Sequence, residues 1–233
     1  MRSVWSGGLM SAAVLFAFSS VPALAANGSD FGAAGNWNGF YFGLSGGAGS
    51  ATATNTYGAS SMPAPTITPG GWLAGGQIGY NWQYDNNAVV GLEASADYAA
   101  LSGTSTSTFD PGGGHPITTA TNTQTLDELG TFRAKVGFAA GPVMPYIAGG
   151  VAFGRGTLSV AGGPYATGSA SHTFTGWTAG GGAEVAFGQH WSVRADYSYV
   201  DLGTQSFMVP GPGGGTNVHL TASVVTGGLN FRW

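Results

Sequence analysis

The 233-residue chain contains no cysteine, which excludes disulfides and a lipid-anchored N-terminal Cys. Charge is scarce: only 7% of residues are Asp, Glu, Lys or Arg, against roughly 25% in soluble globular domains. A soluble protein so poor in charge is hard to keep dispersed; a protein with one surface in lipid and another around an enclosed interior is not. The six basic residues and formal charge of −4 supply no basic stripe, so nucleic acid is excluded as a partner. Long apolar runs are missing too. After residue 25 none approaches the ~20 residues of a transmembrane helix. A mature chain in the bilayer must then close its strands into a barrel, because open sheet edges are not tolerated in hydrocarbon.

What is present supports that course. Glycine is the commonest residue at 43, and aromatics reach 12%, too many for a disordered chain that buries nothing. The N-terminus reads as a secretory leader. Arg2 is its positive region, Leu9–Phe18 (LMSAAVLFAF) its apolar stretch, and Ala23-Leu24-Ala25 its small-x-small cleavage pattern. The expected organisation is a cleaved signal peptide over 1–25, a short periplasmic segment over 26–36 and one barrel domain over 37–233.

Eight segments alternate apolar and small or polar residues with a period of two, as lipid-facing barrel strands do. Phe40, Phe42 and Leu44 face out in Gly39–Ala51; Trp72–Tyr84 is the clearest segment, and Ala88–Leu101 follows it. The others centre on Phe132–Phe138, Pro145–Thr157, Trp177–Phe187, Trp191–Tyr199 and Val225–Trp233. Short links at Asp85–Asn87, Ala140–Met144 and Gly188–His190 alternate with Ser/Thr/Gly/Pro-rich links at about 54–71, 102–124, 160–172 and 203–217. Strict alternation of short and long links predicts an all-β, eight-stranded, antiparallel up-and-down transmembrane barrel, with short periplasmic turns and four longer external loops. A soluble β-sandwich would share the alternation, but its outer face should carry Lys, Glu and Thr in place of Trp, Tyr and Phe.

Aromatics gather at the periplasmic strand ends: Trp37, Phe40, Trp82, Tyr84, Phe187, Trp191, Phe231 and Trp233. Such rings are expected to form an interfacial girdle at headgroup level.

By the same alternation, Arg133, Lys135, Arg194 and Arg232 point inward with Glu93, Asp97, Glu184 and Asp196, and Arg155 lies near an outer rim. The partition is expected, because a charge on the lipid face near midplane costs roughly 2–4 kcal/mol. Pairing Phe187 with Trp191 across the short turn sets Glu184 opposite Arg194, predicting a cross-strand ion pair; Glu93 and Asp97 should approach Arg133 and Lys135. An eight-stranded barrel is just wide enough for its side chains to fill. Two functional readings stay open: the charges plug the lumen, or they line a narrow ion path.

Catalysis finds little footing. His219 and Ser223 share a face but lie about 13 Å apart along a strand, beyond hydrogen-bond reach. His115 and His172 lack flanking metal-ligand spacing, His190 sits in a turn, and Gly180-Gly181-Gly182 is not followed by a helix pattern. No catalytic, cofactor or metal residue is expected.

The segments WNGFYFGLSGG (Trp37–Gly47), GTFRAKVGFAAGPVMPYIAGGVAFG (Gly130–Gly154), GWTAGGGAEVAF (Gly176–Phe187), WSVRADYSYVDLG (Trp191–Gly203) and GLNFRW (Gly228–Trp233) resemble the small outer-membrane β-barrel family of alphaproteobacteria, the "porin family" or outer-membrane immunogenic proteins. The resemblance implies an eight-stranded barrel in the Gram-negative outer membrane with surface-exposed, antigenic loops, and no peptidoglycan-binding domain. It also implies that the terminal aromatic, here Trp233 where Phe is usual, is read by the barrel-assembly machinery. The expected partners are outer-membrane lipid and that machinery, with the loop partner unknown and the barrel a monomer. The expected role is structural, in envelope integrity or surface display; a small-solute porin and an adhesin acting through its loops are the alternatives.

Overall fold

The computed structural model describes residues 35–57, 66–109, 118–162, 168–207 and 216–233. The leader, its Ala23 and Ala25 site and His115 lie outside them. Among the described residues the regular elements are strands: β1 (Gly39–Tyr57), β2 (Thr66–Ile67), β3 (Gly70–Gln83), β4 (Ala88–Phe109), β5 (Thr118–Phe138), β6 (Val143–Gly162), β7 (Gly168–Phe187), β8 (Trp191–Phe207) and β9 (Thr216–Arg232). From β3 onward each pairs antiparallel with the next. β1 joins β3 on one side and β9 on the other, from Tyr41↔Arg232 to Tyr57↔Thr216. The two-residue β2 lies on the outer end of β1, so eight strands form a closed ring.

The short turns follow from local chemistry. Each holds one residue with positive φ: Asn87 (64°), Gly141 (62°) and Gly188 (68°), residue types that tolerate the left-handed region. Asn86 Oδ1 also accepts a hydrogen bond from the Ala88 amide at 3.2 Å. Tight turns fix register, and the pairs Phe187↔Trp191 and Glu184↔Arg194 form as the spacing predicts.

The outer wall in the membrane is apolar, with Leu44 74% and Ile147 70% exposed. At the periplasmic end Phe40, Trp82, Tyr84, Phe187, Trp191 and Trp233 are exposed. Phe231 sits among them, edge-on to Trp191 at 5.0 Å and stacked on His190 at 5.5 Å. The opposite end carries a second aromatic belt that the sequence reading missed, in which Trp72 pairs with Tyr98 (5.7 Å) and Trp177 with Tyr199 (5.6 Å). Ile147 lies midway between the belts on β6. Ile147→Arg is expected to cost about 2–4 kcal/mol, read as a lower urea midpoint in lipid bilayers.

The four long links are shorter than expected. Strands run on to Tyr57, Phe109, Gly162 and Phe207 and resume at Thr118, Gly168 and Thr216. Beyond the second belt the faces go on alternating but the polarity inverts, and at the bulges the inward phase of β5 and β8 shifts by one residue. Leu101, Leu126, Leu158, Phe174, Leu202 and Leu220 are buried inside the ring, while Ser102, Thr104 and Thr106 are exposed outside. Threonine is β-branched and favours extended chain, so these Ser/Thr segments build strands of the water-soluble kind. Bulges at Tyr98/Leu101, Leu126/Glu128 and Asp201/Thr204 mark the level of the change.

Candidate functional site

The lumen is stacked in layers, beginning with Trp37 at the periplasmic mouth. This residue does not join the girdle as expected. It is fully buried, because two residues before β1 it shares the inward parity of Tyr41. Its indole Nε1 donates to the Gly141 carbonyl at 3.3 Å, and its amide donates to Gln83 Oε1 at 2.6 Å. The Arg232 guanidinium lies 4.5 Å over the ring, so this cation is held by an aromatic face at the end of the lumen. Val89, Met144, Tyr146 and Ala186 pack beside Trp37.

Above lies the charge layer. Arg133 bridges Glu93 (2.6 Å) and Asp196 (3.0 Å); Arg194 bridges the same two carboxylates at 2.6 and 3.8 Å. The four residues make a closed ring of alternating sign that ties β4 and β5 to β8 across the lumen. Tyr41 donates from Oη to Glu93 at 2.8 Å, and Tyr146 to Asp196 at 2.9 Å. Gly79 makes room for Tyr41, since a Cβ there would meet the phenol at 2.4 Å. Lys135 sits between the two tyrosine rings, 4.7 and 5.0 Å from their centroids, and 3.8 Å from Glu184. Glu184 also accepts from Ser192 and from Asn230, whose Oδ1 accepts from Gln77 at 2.7 Å.

Two expected pairings change. Glu184 and Arg194 face each other in register, yet neither takes the other as partner: Arg194 spans to Glu93, and Glu184 is met by Lys135. Long side chains in a narrow ring reach the opposite wall as readily as the adjacent strand. Asp97 stands above the quartet, half-buried, and accepts from Ser45 at 3.3 Å in place of Arg133 or Lys135. The expected contact of Glu93 with Arg133 forms.

Asp97, Ser45, Ser95, Thr131, Arg133 and Arg194 line a cavity of about 30 Å³, room for water. Over it closes the apolar layer of Leu73, Leu129, Val200 and Val224, continuous with Leu101, Leu126 and Leu202. A smaller pocket of about 20 Å³ opens higher still between Leu126, Leu158, Phe174, Val218 and Leu220.

Outside the ring, His219 meets Thr204 (Nδ1 to Oγ1, 3.2 Å) and Asp201 (3.8 Å), while Ser223 pairs with Tyr197 at 3.3 Å.

A closed ring with a lipid-facing belt and a polar interior is the architecture of bacterial outer-membrane proteins, and the outer membrane protein beta-barrel domain matches residues 11–232. The chain belongs to that family. The 31 kDa outer-membrane immunogenic protein of Brucella melitensis is 34% identical over 148 residues, which cover 61% of this chain and 58% of that protein. The match thus spans under three fifths of that relative's length. The 22 kDa outer membrane protein of Rhizobium leguminosarum bv. viciae is 30% identical over 176 residues, 75% of this chain and 68% of that protein. Among solved structures, the outer membrane protease OmpT of Escherichia coli aligns with a TM-score of 0.50 at 9% identity, over 84% of this chain and 97% of that one; what it shares is the fold. This family member is an integral β-barrel of the outer membrane.

Proposed function

We propose that this outer-membrane barrel is a non-enzymatic structural and surface protein of the envelope whose lumen is closed to solutes. The observation that carries this reading is the buried quartet of Glu93, Arg133, Asp196 and Arg194, held between the Trp37 layer below and the Leu101–Leu126–Leu202 layer above. An ion crossing would have to displace paired charges and then enter apolar packing, and each step carries a desolvation cost. Trp233, exposed beside Phe40 and Phe42, acts as the terminal aromatic read during insertion, and the barrel works as a monomer through its external end.

A small-solute porin is the reading to set against it, favoured by the hydroxyl-lined cavity beside Asp97. Purified full-length protein in planar bilayers discriminates. No steps above the lipid baseline are expected; reproducible single-channel steps would sink the closed-lumen reading.

A further inference from the structure

The outer wall above the second aromatic belt is built in hydroxyl rows. Register sets Ser102, Thr125, Thr157 and Ser171 side by side across β4 to β7, and Thr104, Thr123, Ser159 and Ser169 in the next row. Neighbours within the rows are linked, Thr157 to Ser171 at 3.0 Å and Ser159 to Ser169 at 3.3 Å. On the other side of the ring Thr52, Thr54, Thr204 and Ser206 are exposed in the same way. From Tyr98 to Thr106 this collar rises about 20 Å, taking ~3.3 Å per residue and a tilt near 40°. It therefore passes through the headgroup layer of the outer leaflet instead of ending at it. Packing from within, by Leu101, Leu126, Leu158 and Phe174, holds it in shape.

The collar carries almost no cation. Of the chain's six Lys and Arg, four are inside the lumen, Arg2 belongs to the leader, and Arg155 remains. Arg155 stands directly across from Glu128 in the register, a lone cation beside an acid and not part of a cluster. Phosphorylated headgroups are gathered by Arg and Lys clusters through charge-assisted bonds. Sugar hydroxyls need something else: groups that donate and accept at once, which serine and threonine supply.

We propose that this collar is a docking surface for the uncharged saccharide of outer-leaflet glycolipid, which it engages through its hydroxyl rows and not through phosphate. The inference rests on outer-membrane placement and is independent of whether the lumen conducts, so it stands or falls apart from the planar-bilayer result.

The test uses the full refolded barrel in phospholipid bilayers doped with one of three glycolipids: one with complete saccharide and phosphates, the same lipid dephosphorylated, and a phosphorylated lipid with its saccharide truncated. The readout is the temperature at which the folded gel band is lost. The stabilising shift should appear with the first, persist after dephosphorylation and in EDTA, and vanish on truncation. A shift that survives truncation but disappears with the phosphates or with EDTA overturns the proposal, as does no shift with any of the three. The variant Thr104→Val/Thr123→Val/Thr157→Val keeps side-chain shape and strand preference. It should match the native chain in plain phospholipid and lose the saccharide-dependent shift; retention of the full shift would also overturn the proposal. The glycolipid series on the native chain decides the matter alone if the variant folds poorly.

Discussion

Glu93→Ala is expected to cost about 3–5 kcal/mol of barrel stability, the usual penalty for removing one partner from a buried ion pair. Glu93 is 3% exposed and receives Arg133, Arg194 and the Tyr41 hydroxyl together. Its loss leaves two buried guanidinium groups facing one carboxylate, Asp196. The penalty belongs to the uncompensated charge more than to any bond removed. It follows that Glu93→Leu combined with Arg133→Met, Arg194→Met and Asp196→Leu should regain most of the loss, since apolar replacement of a whole buried ionic cluster is often neutral or stabilising. The check is the urea midpoint of refolded protein, followed by the gel shift between folded and unfolded bands. A quadruple variant weaker than Glu93→Ala would refute the electrostatic account.

The second large effect is at the other end of the lumen. Trp37→Ala is expected to destabilise by about 3–5 kcal/mol, as for other buried Trp truncations. The indole is wholly buried, caps Arg232 and donates to the turn between β5 and β6. Truncation opens a cavity, uncovers a buried guanidinium and frees the segment before β1 from the end of β9. Trp37→Phe keeps the aromatic face for Arg232 but loses the Nε1 bond, so it should fall between the native protein and Trp37→Ala. Equal midpoints for Trp37→Ala and the native chain would show that the mouth packs independently of this ring.

The alternation of Phe40, Phe42 and Leu44 with smaller residues was legible because side chains on a strand must choose one of two faces. Register at Phe187 and Trp191 was legible because a three-residue turn leaves little freedom. Partners across the lumen were not. Adjacency in register describes the wall, whereas ring radius and side-chain length decide which charge meets which over the gap, and neither is written in the spacing of Glu184 and Arg194. Trp37 was misplaced by its type: an amphipathic ring near a strand end suggests an interface, but its odd number, in phase with Tyr41, pointed inward. The Ser/Thr segments were misjudged by composition. Leu101 and Leu158 already marked an inward face there, with the polarity reversed relative to the membrane half, whereas Leu126 turns inward only because the bulge beside Glu128 shifts the phase of β5.

The seam between β1 and β9 has a consequence for assembly. It joins strands separated by nearly the whole barrel sequence, from Tyr41↔Arg232 to Tyr57↔Thr216, so it is the least local contact in the ring and loop entropy gives it no early advantage. Until it forms, the growing sheet exposes two bare edges, each able to template pairing with a foreign strand. Removing β9 would not shorten the barrel by one stave. It would take the neighbour of β8 and the neighbour of β1 together, turning a structure without edges into one with two.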